Sequence, residues 1–154
     1  MRCINIQNRK ELKKKVHKLD YKPEFEFDLI GISSHENDYR VSWALNNNLN
    51  TRFTRDNDLE IKTTGNEEIA KFSKYAYHEE EDYISYYLIA NRCNNAFLLE
   101  EFKNLDFFLL MKGEYGNHFI EDLVKKIKQI NIITIAFNID LSTIKSKSKL
   151  KLIF

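Results

Sequence analysis

Glu101 and Asp106 are five positions apart and flank Phe102 and Leu105, just before an uninterrupted apolar run, Phe107 to Met111. Two carboxylates so placed have the composition of an acid–base pair of the kind used in hydrolysis, which requires surroundings that push their pKa values apart. The structural alternative is a turn contact for Glu101 and a strand-entry anchor for Asp106. Tyr39, Arg40 and Trp43 form a second cluster. At helical spacing residues 39 and 43 lie one turn apart with Arg40 beside them, the composition of a protein-binding hot spot. The alternative is that both aromatics pack on a sheet while Asp38 pairs with Arg40.

Other constellations are weaker. His78 precedes Glu79, Glu80, Glu81 and Asp82. Consecutive acids at a turn diverge and repel, so a solvated hairpin tip is expected there and no metal site is assigned. Cys93 lacks the glycine-rich turn or following helix N-terminus that lowers a thiol pKa, and reads as a loop thiol. The chain has no phosphate-binding loop, dinucleotide fingerprint or zinc spacing, and no cofactor is expected.

With 154 residues, 43% apolar and 13% aromatic, the chain suits one domain and is too apolar for a disordered one. Two cysteines far apart, Cys3 and Cys93, point to a reduced, cytoplasmic setting. No apolar stretch is long enough for a signal peptide or a membrane span. Asn, Ile and Lys make up a third of the residues and are scattered through core-like and surface-like positions, the pattern of an AT-rich coding sequence. The asparagine clusters are therefore not read as ligands.

The net charge of +1 divides unevenly. Residues 1–22 carry eight basic and two acidic side chains, and residues 141–154 carry Lys145, Lys147, Lys149 and Lys151 with no acid, leaving the body between them at −9. This predicts a weakly ordered basic extension over 1–13, a domain over 14–140 and a basic tail over 141–154. Basic ends can neutralise phosphates without sequence specificity, which gives an RNA- or DNA-associated reading. Tails that only solubilise, or that fold back on the acidic body, are the alternative.

Alternation predicts short strands around His17–Tyr21 and Phe25–Leu29. Ser33 and Ser34 before Glu36 and Asp38 predict a helix over about 36–48, with Tyr39 and Trp43 widening its apolar face and Asn50 at its frayed end. Residues 72–77 and 83–90 predict an antiparallel hairpin with an acidic tip. Phe107–Met111 predicts a strand buried on both faces. Phe119, Leu123, Val124, Ile127 and Ile130 predict a helix over about 117–130, and Ile132–Phe137 a last strand. The whole is α+β: a mostly antiparallel sheet with two helices on one face and a C-terminal β-α-β unit.

Two stretches resemble a known family. Leu99-Glu100-Glu101-Phe102-Lys103-Asn104-Leu105-Asp106-Phe107 is similar to the nine-residue signature of the bacterial IPExxxVDY proteins. Leu29-Ile30-Gly31-Ile32-Ser33-Ser34, continued by Asp38-Tyr39-Arg40 and Trp43-Ala44-Leu45-Asn46, resembles that family's N-terminal motif, and Phe108-Leu109-Leu110 with Lys112-Gly113 is similar too. Glu101 and Asp106 match the signature. Glu100 stands where it has proline, Leu99 and Leu105 where it has Ile and Val, and Phe107 where it has tyrosine. The resemblance implies a family without assigning a mechanism. The expected role is a non-enzymatic protein-interaction domain with a protein partner, using Tyr39, Arg40 and Trp43, with Glu101 and Asp106 as further candidates. Nucleic-acid association and a Glu/Asp hydrolase are the rivals.

Overall fold

A computed structural model describes residues 27–154 except Asn66 and Asn95. The basic extension over 1–13 and the strand expected around His17–Tyr21 lie outside the described residues.

Alternating apolar residues with few glycines favour extended chain, and the described residues form ten strands. They are β1 (Phe27–Ser34), β2 (Thr54–Arg55), β3 (Leu59–Lys62), β4 (Ile69–Phe72), β5 (Lys74–Glu79), β6 (Ile84–Ala90), β7 (Arg92–Cys93), β8 (Ala96–Phe97), β9 (Phe107–Lys112) and β10 (Ile133–Asn138). Helices α1 (Asp38–Leu49), α2 (Phe119–Lys128) and the short α3 (Lys147–Leu150) complete the fold. Six strands make one sheet in the order β10-β1-β9-β6-β5-β2, and the hairpins β3-β4 and β7-β8 stand apart from it. Each pairing is antiparallel. Because β9 and β10 both run antiparallel to β1, they are parallel to each other on either side of it. The C-terminal β-α-β unit is therefore a split one, with α2 crossing over the intervening strand.

The pleat sends alternate residues to two cores. Ile30 and Ile32 of β1 and Phe107, Leu109 and Met111 of β9 face α1 and α2, meeting Val41, Ala44, Leu45, Ile120, Val124 and Ile127. Leu29, Phe108 and Leu110 face the other way, toward the β3-β4 hairpin and the loop residues Leu98, Leu99 and Leu105. Two covered faces explain why β9 reads as an unbroken apolar run. The sheet carries its two longer helices on one face, as the α+β pattern predicts.

On the second face the chain departs from expectation. Residues 141–154 are not a tail outside the domain: Ile144, Leu150 and Ile153 are buried in the second core with Ile139. Four lysines mask an apolar stripe whose burial outweighs them. Lys145 and Lys151 remain exposed, and Lys149 turns its Nζ to donate to the Leu98 carbonyl at 3.1 Å.

Candidate functional site

Two segments carry the candidate residues, and the sheet positions both. The β1–α1 turn and the loop before β9 meet at one end of the sheet. Asp106 joins them through its backbone: its N–H donates to the Ile32 carbonyl at 2.9 Å and its carbonyl accepts from Asn91 N at 2.8 Å. Its side chain continues the clamp. Oδ2 accepts from the Ser33 hydroxyl at 2.9 Å and from Ser34 N at 3.0 Å, and Oδ1 lies 3.4 Å from Arg92 Nε. Ser34 is itself buried, donating to the Ile132 carbonyl at 2.6 Å and accepting from Glu36 N at 3.2 Å. The helix cap falls at Asn37, beyond the two serines, its side chain accepting from Arg40 N at 3.0 Å. The helix ends at Asn50 in the left-handed conformation. Its last turn is tied down: Asn46 accepts from Phe53 N at 2.7 Å and donates to the Phe53 carbonyl at 3.1 Å.

A cleft of about 440 Å³ opens here, walled by His35, Glu36, Asp38, Ser73, Arg92 and Asp106 among others. The first turn of α1 lies over β5, where burial first and then the Asp38 carboxylate push the Tyr75 phenol above its ordinary value. No group of His, Cys, Asp or Glu among the described residues has the geometry to hold a metal ion.

Glu101 sits elsewhere, in the 3-10 turn Glu100–Phe102. Its Oε1 accepts from Lys145 N at 2.8 Å and Ser146 N at 3.2 Å, so it fastens the C-terminal segment. Partial burial raises its pKa, but backbone N–H donors (its own, Ser146 and Lys145) and the Lys149 charge outweigh that, and the carboxyl is held below its ordinary value. A general acid working near neutral pH needs the opposite displacement. Glu101 and Asp106 are thus gripped by separate segments, 145–146 in one case and 33–34 in the other, and make no acid–base pair through a shared partner.

Between them lies Asn91, fully buried and missed when the asparagines are treated as compositional background. Its Nδ2 donates to the carbonyls of Phe102 at 2.8 Å and Leu105 at 2.9 Å, and its Oδ1 accepts from Leu99 N at 2.9 Å. Both ends of the amide hold the loop over 98–106. A lone Asn between the apolar strand 84–90 and a basic residue was the available signal. Leu99, Leu105 and Phe107 are buried on either side of this loop. A Cβ on Gly31 would overlap Leu105 Cδ1 and lie 3.0 Å from Ile139 Cδ1, so a larger residue at this position in β1 would force the Leu105 side chain to shift within the same packing. Leu99 is extended, with φ −117° and ψ 104°, and Glu100 opens the turn, so the backbone keeps a shape that a proline at Glu100 would accept.

The α1 cluster behaves differently. Tyr39 is 66% exposed and Trp43 60%, so neither widens the buried face as their apolar character predicts. At 100° per residue, positions 39 and 43 lie on the side of the helix away from Val41 and Leu45, which are fully buried. Arg40 is exposed on the same side, its Nε 3.2 Å from Glu36 Oε2, rather than paired with Asp38. Cys93, expected on the loop surface, is half-buried against the second core. His78 contacts Ser85 Oγ at 2.9 Å beside an acidic tip in which Glu80, Glu81 and Asp82 are exposed. No helix of the described residues is long and apolar enough to cross a membrane.

No family model, curated protein or solved structure matches the chain.

Proposed function

We propose that the chain is a cytoplasmic, non-enzymatic domain of the IPExxxVDY type that docks a protein partner on the exposed face of α1. One observation carries this reading: Tyr39 and Trp43 stand side by side in solvent on a helix whose opposite face is fully packed, edged by Arg40. Large aromatics flanked by arginine dominate binding energy at interfaces, because they bury much area with little loss of side-chain freedom. The carboxylates that an enzymatic reading would use are occupied in holding the fold together. The basic C-terminal residues, on which a nucleic-acid reading partly rests, belong to the packed domain.

The test compares affinity capture by the wild-type chain with Trp43→Ala and Arg40→Ala variants shown to melt as the wild type does. Expected is a partner held by the wild type at least about tenfold more tightly than by either variant, a difference of about 1.4 kcal/mol. A partner held equally by all three overturns the reading. So does loss of the fold in Trp43→Ala, or a salt-sensitive RNA complex that both variants retain.

A further inference from the structure

At one end of the six-stranded sheet, β10 pairs with β1 along one side, and no strand of the described residues meets its outer row of N–H and C=O groups. Natural proteins blunt such edges with lysine, proline or very short strands. The opposite edge does so: β2 has two residues, one of them Arg55, and leads into Asp56-Asn57-Asp58. β10 reads Ile-Thr-Ile-Ala-Phe-Asn, six residues with no charge, proline or glycine. Its pairing with β1 shifts register near Ser34, but Ile135 to Asn138 pair regularly with Ser33 to Ile30.

The side chains repeat the message. Ala136 packs into the helix-side core, which turns Ile135 and Phe137 to the other face, where they remain 46% and 37% exposed. Helix α2, which packs on β10, bears Glu121 and Asp122 in its first turn and Lys125, Lys126 and Lys128 in its last.

We propose that β10 pairs antiparallel with β10 of a second copy, joining the two sheets across a two-fold axis. A two-fold requires a self-complementary edge. β10 meets it: a neutral strand puts no like charges opposite one another, and an axis near Ala136 sets Ile135 against Phe137 of the other copy. The same axis reverses α2, bringing the acidic start of one helix toward the basic end of the other. This charge arrangement selects a second copy over a generic extended peptide. The surface is separate from the Tyr39–Trp43 face, so the dimer stands or falls independently of the partner-docking reading.

Sedimentation equilibrium and amide hydrogen exchange on the full chain test it. Expected is a concentration-dependent dimer whose outward-pointing β10 amides, those not bonded to β1, gain protection as it forms. Phe137→Lys, at an exposed position, keeps the fold by circular dichroism and weakens the dimer about tenfold or more, since it sets a charge against an apolar partner. Lys125→Glu with Lys128→Glu also weakens it, and adding Glu121→Lys and Asp122→Lys recovers part of the loss. Trp43→Ala leaves it unchanged. A chain that stays monomeric at its highest soluble concentration overturns the proposal, as does a dimer indifferent to Phe137→Lys. A monomer whose outward-pointing β10 amides, those not bonded to β1, are already protected also overturns it, the edge then being covered within one chain.

Discussion

The loop over residues 99–107 and the outer face of α1 hold the two sets of residues with candidate chemistry, and they differ in whether their polar groups are engaged. In the loop, Glu101 takes two backbone amides of the C-terminal segment, Asp106 takes a hydroxyl, an amide and a guanidinium, and Asn91 behind them satisfies three backbone groups. On α1, Tyr39 and Trp43 stand in solvent with their apolar surface uncovered. Charged residues near one another are therefore a poor guide to chemistry when each already has a structural partner. The better guide is a large side chain left in water at a cost that packing could have removed.

If that contrast holds, the loop variants lose stability and the α1 variants lose only binding. The largest effect belongs to Asn91→Ala. It strands the buried Leu105 carbonyl and the buried Leu99 N–H and leaves the Phe102 carbonyl with only the Leu105 N–H, and is expected to cost about 3 kcal/mol, read as a lowered denaturant midpoint at constant slope. A loss below about 1 kcal/mol would show that water or loop movement replaces the amide.

Asp106→Asn comes next. It removes the charge facing Arg92 and weakens the bonds from Ser33 and Ser34, so a loss of about 2 kcal/mol is expected in the same measurement. An Asp106→Asn variant that keeps the wild-type denaturant midpoint would break the contrast from this side.

Glu101 gives a smaller, pH-dependent effect. Its folded pKa is depressed, so its contribution is fully present above the ordinary carboxyl value of ~4.3 and disappears as pH falls through the lower folded value. Amide exchange at Lys145 and Ser146, taken relative to the intrinsic rate at each pH, is expected to accelerate over that acid range in the wild type. In Glu101→Gln it should be faster already at neutral pH and lack this acid dependence. Trp43→Ala sits at the bottom of the scale, with a stability change within about 0.5 kcal/mol, as for a surface site without structural partners. A loss several times larger would place Trp43 in the fold and remove the distinction.

Much of the architecture is legible along the chain, because it rests on local periodicity. The unbroken run Phe107–Met111 announces a strand buried on both faces, and the apolar spacing from Phe119 to Ile130 announces α2. Asn50 ends α1 in the left-handed conformation that asparagine adopts more readily than most residues. The hairpin β5-β6 has its acidic tip where Glu79 to Asp82 interrupt the apolar pattern.

The candidate site is less legible, because its meaning depends on which partner each side chain finds at long range. Asp106 meets Ser33 across 73 positions and Glu101 meets Lys145 across 44. Nothing local distinguishes those pairings from an acid–base couple. Tyr39 and Trp43 have the right spacing for a buried face, yet Val41, Ala44 and Leu45 supply a narrower stripe, and the sheet covers only one side of the helix. The basic C-terminal residues show the same limit: net charge is additive along the chain, whereas burial of Ile144, Leu150 and Ile153 depends on an apolar sheet face waiting for them. Periodicity and composition are enough to specify an α+β sheet with helices on one face. Whether each polar group is a partner, a clamp or an open contact is settled only when distant segments meet, since hydrogen bonding and burial are properties of the assembled surface rather than of the residue.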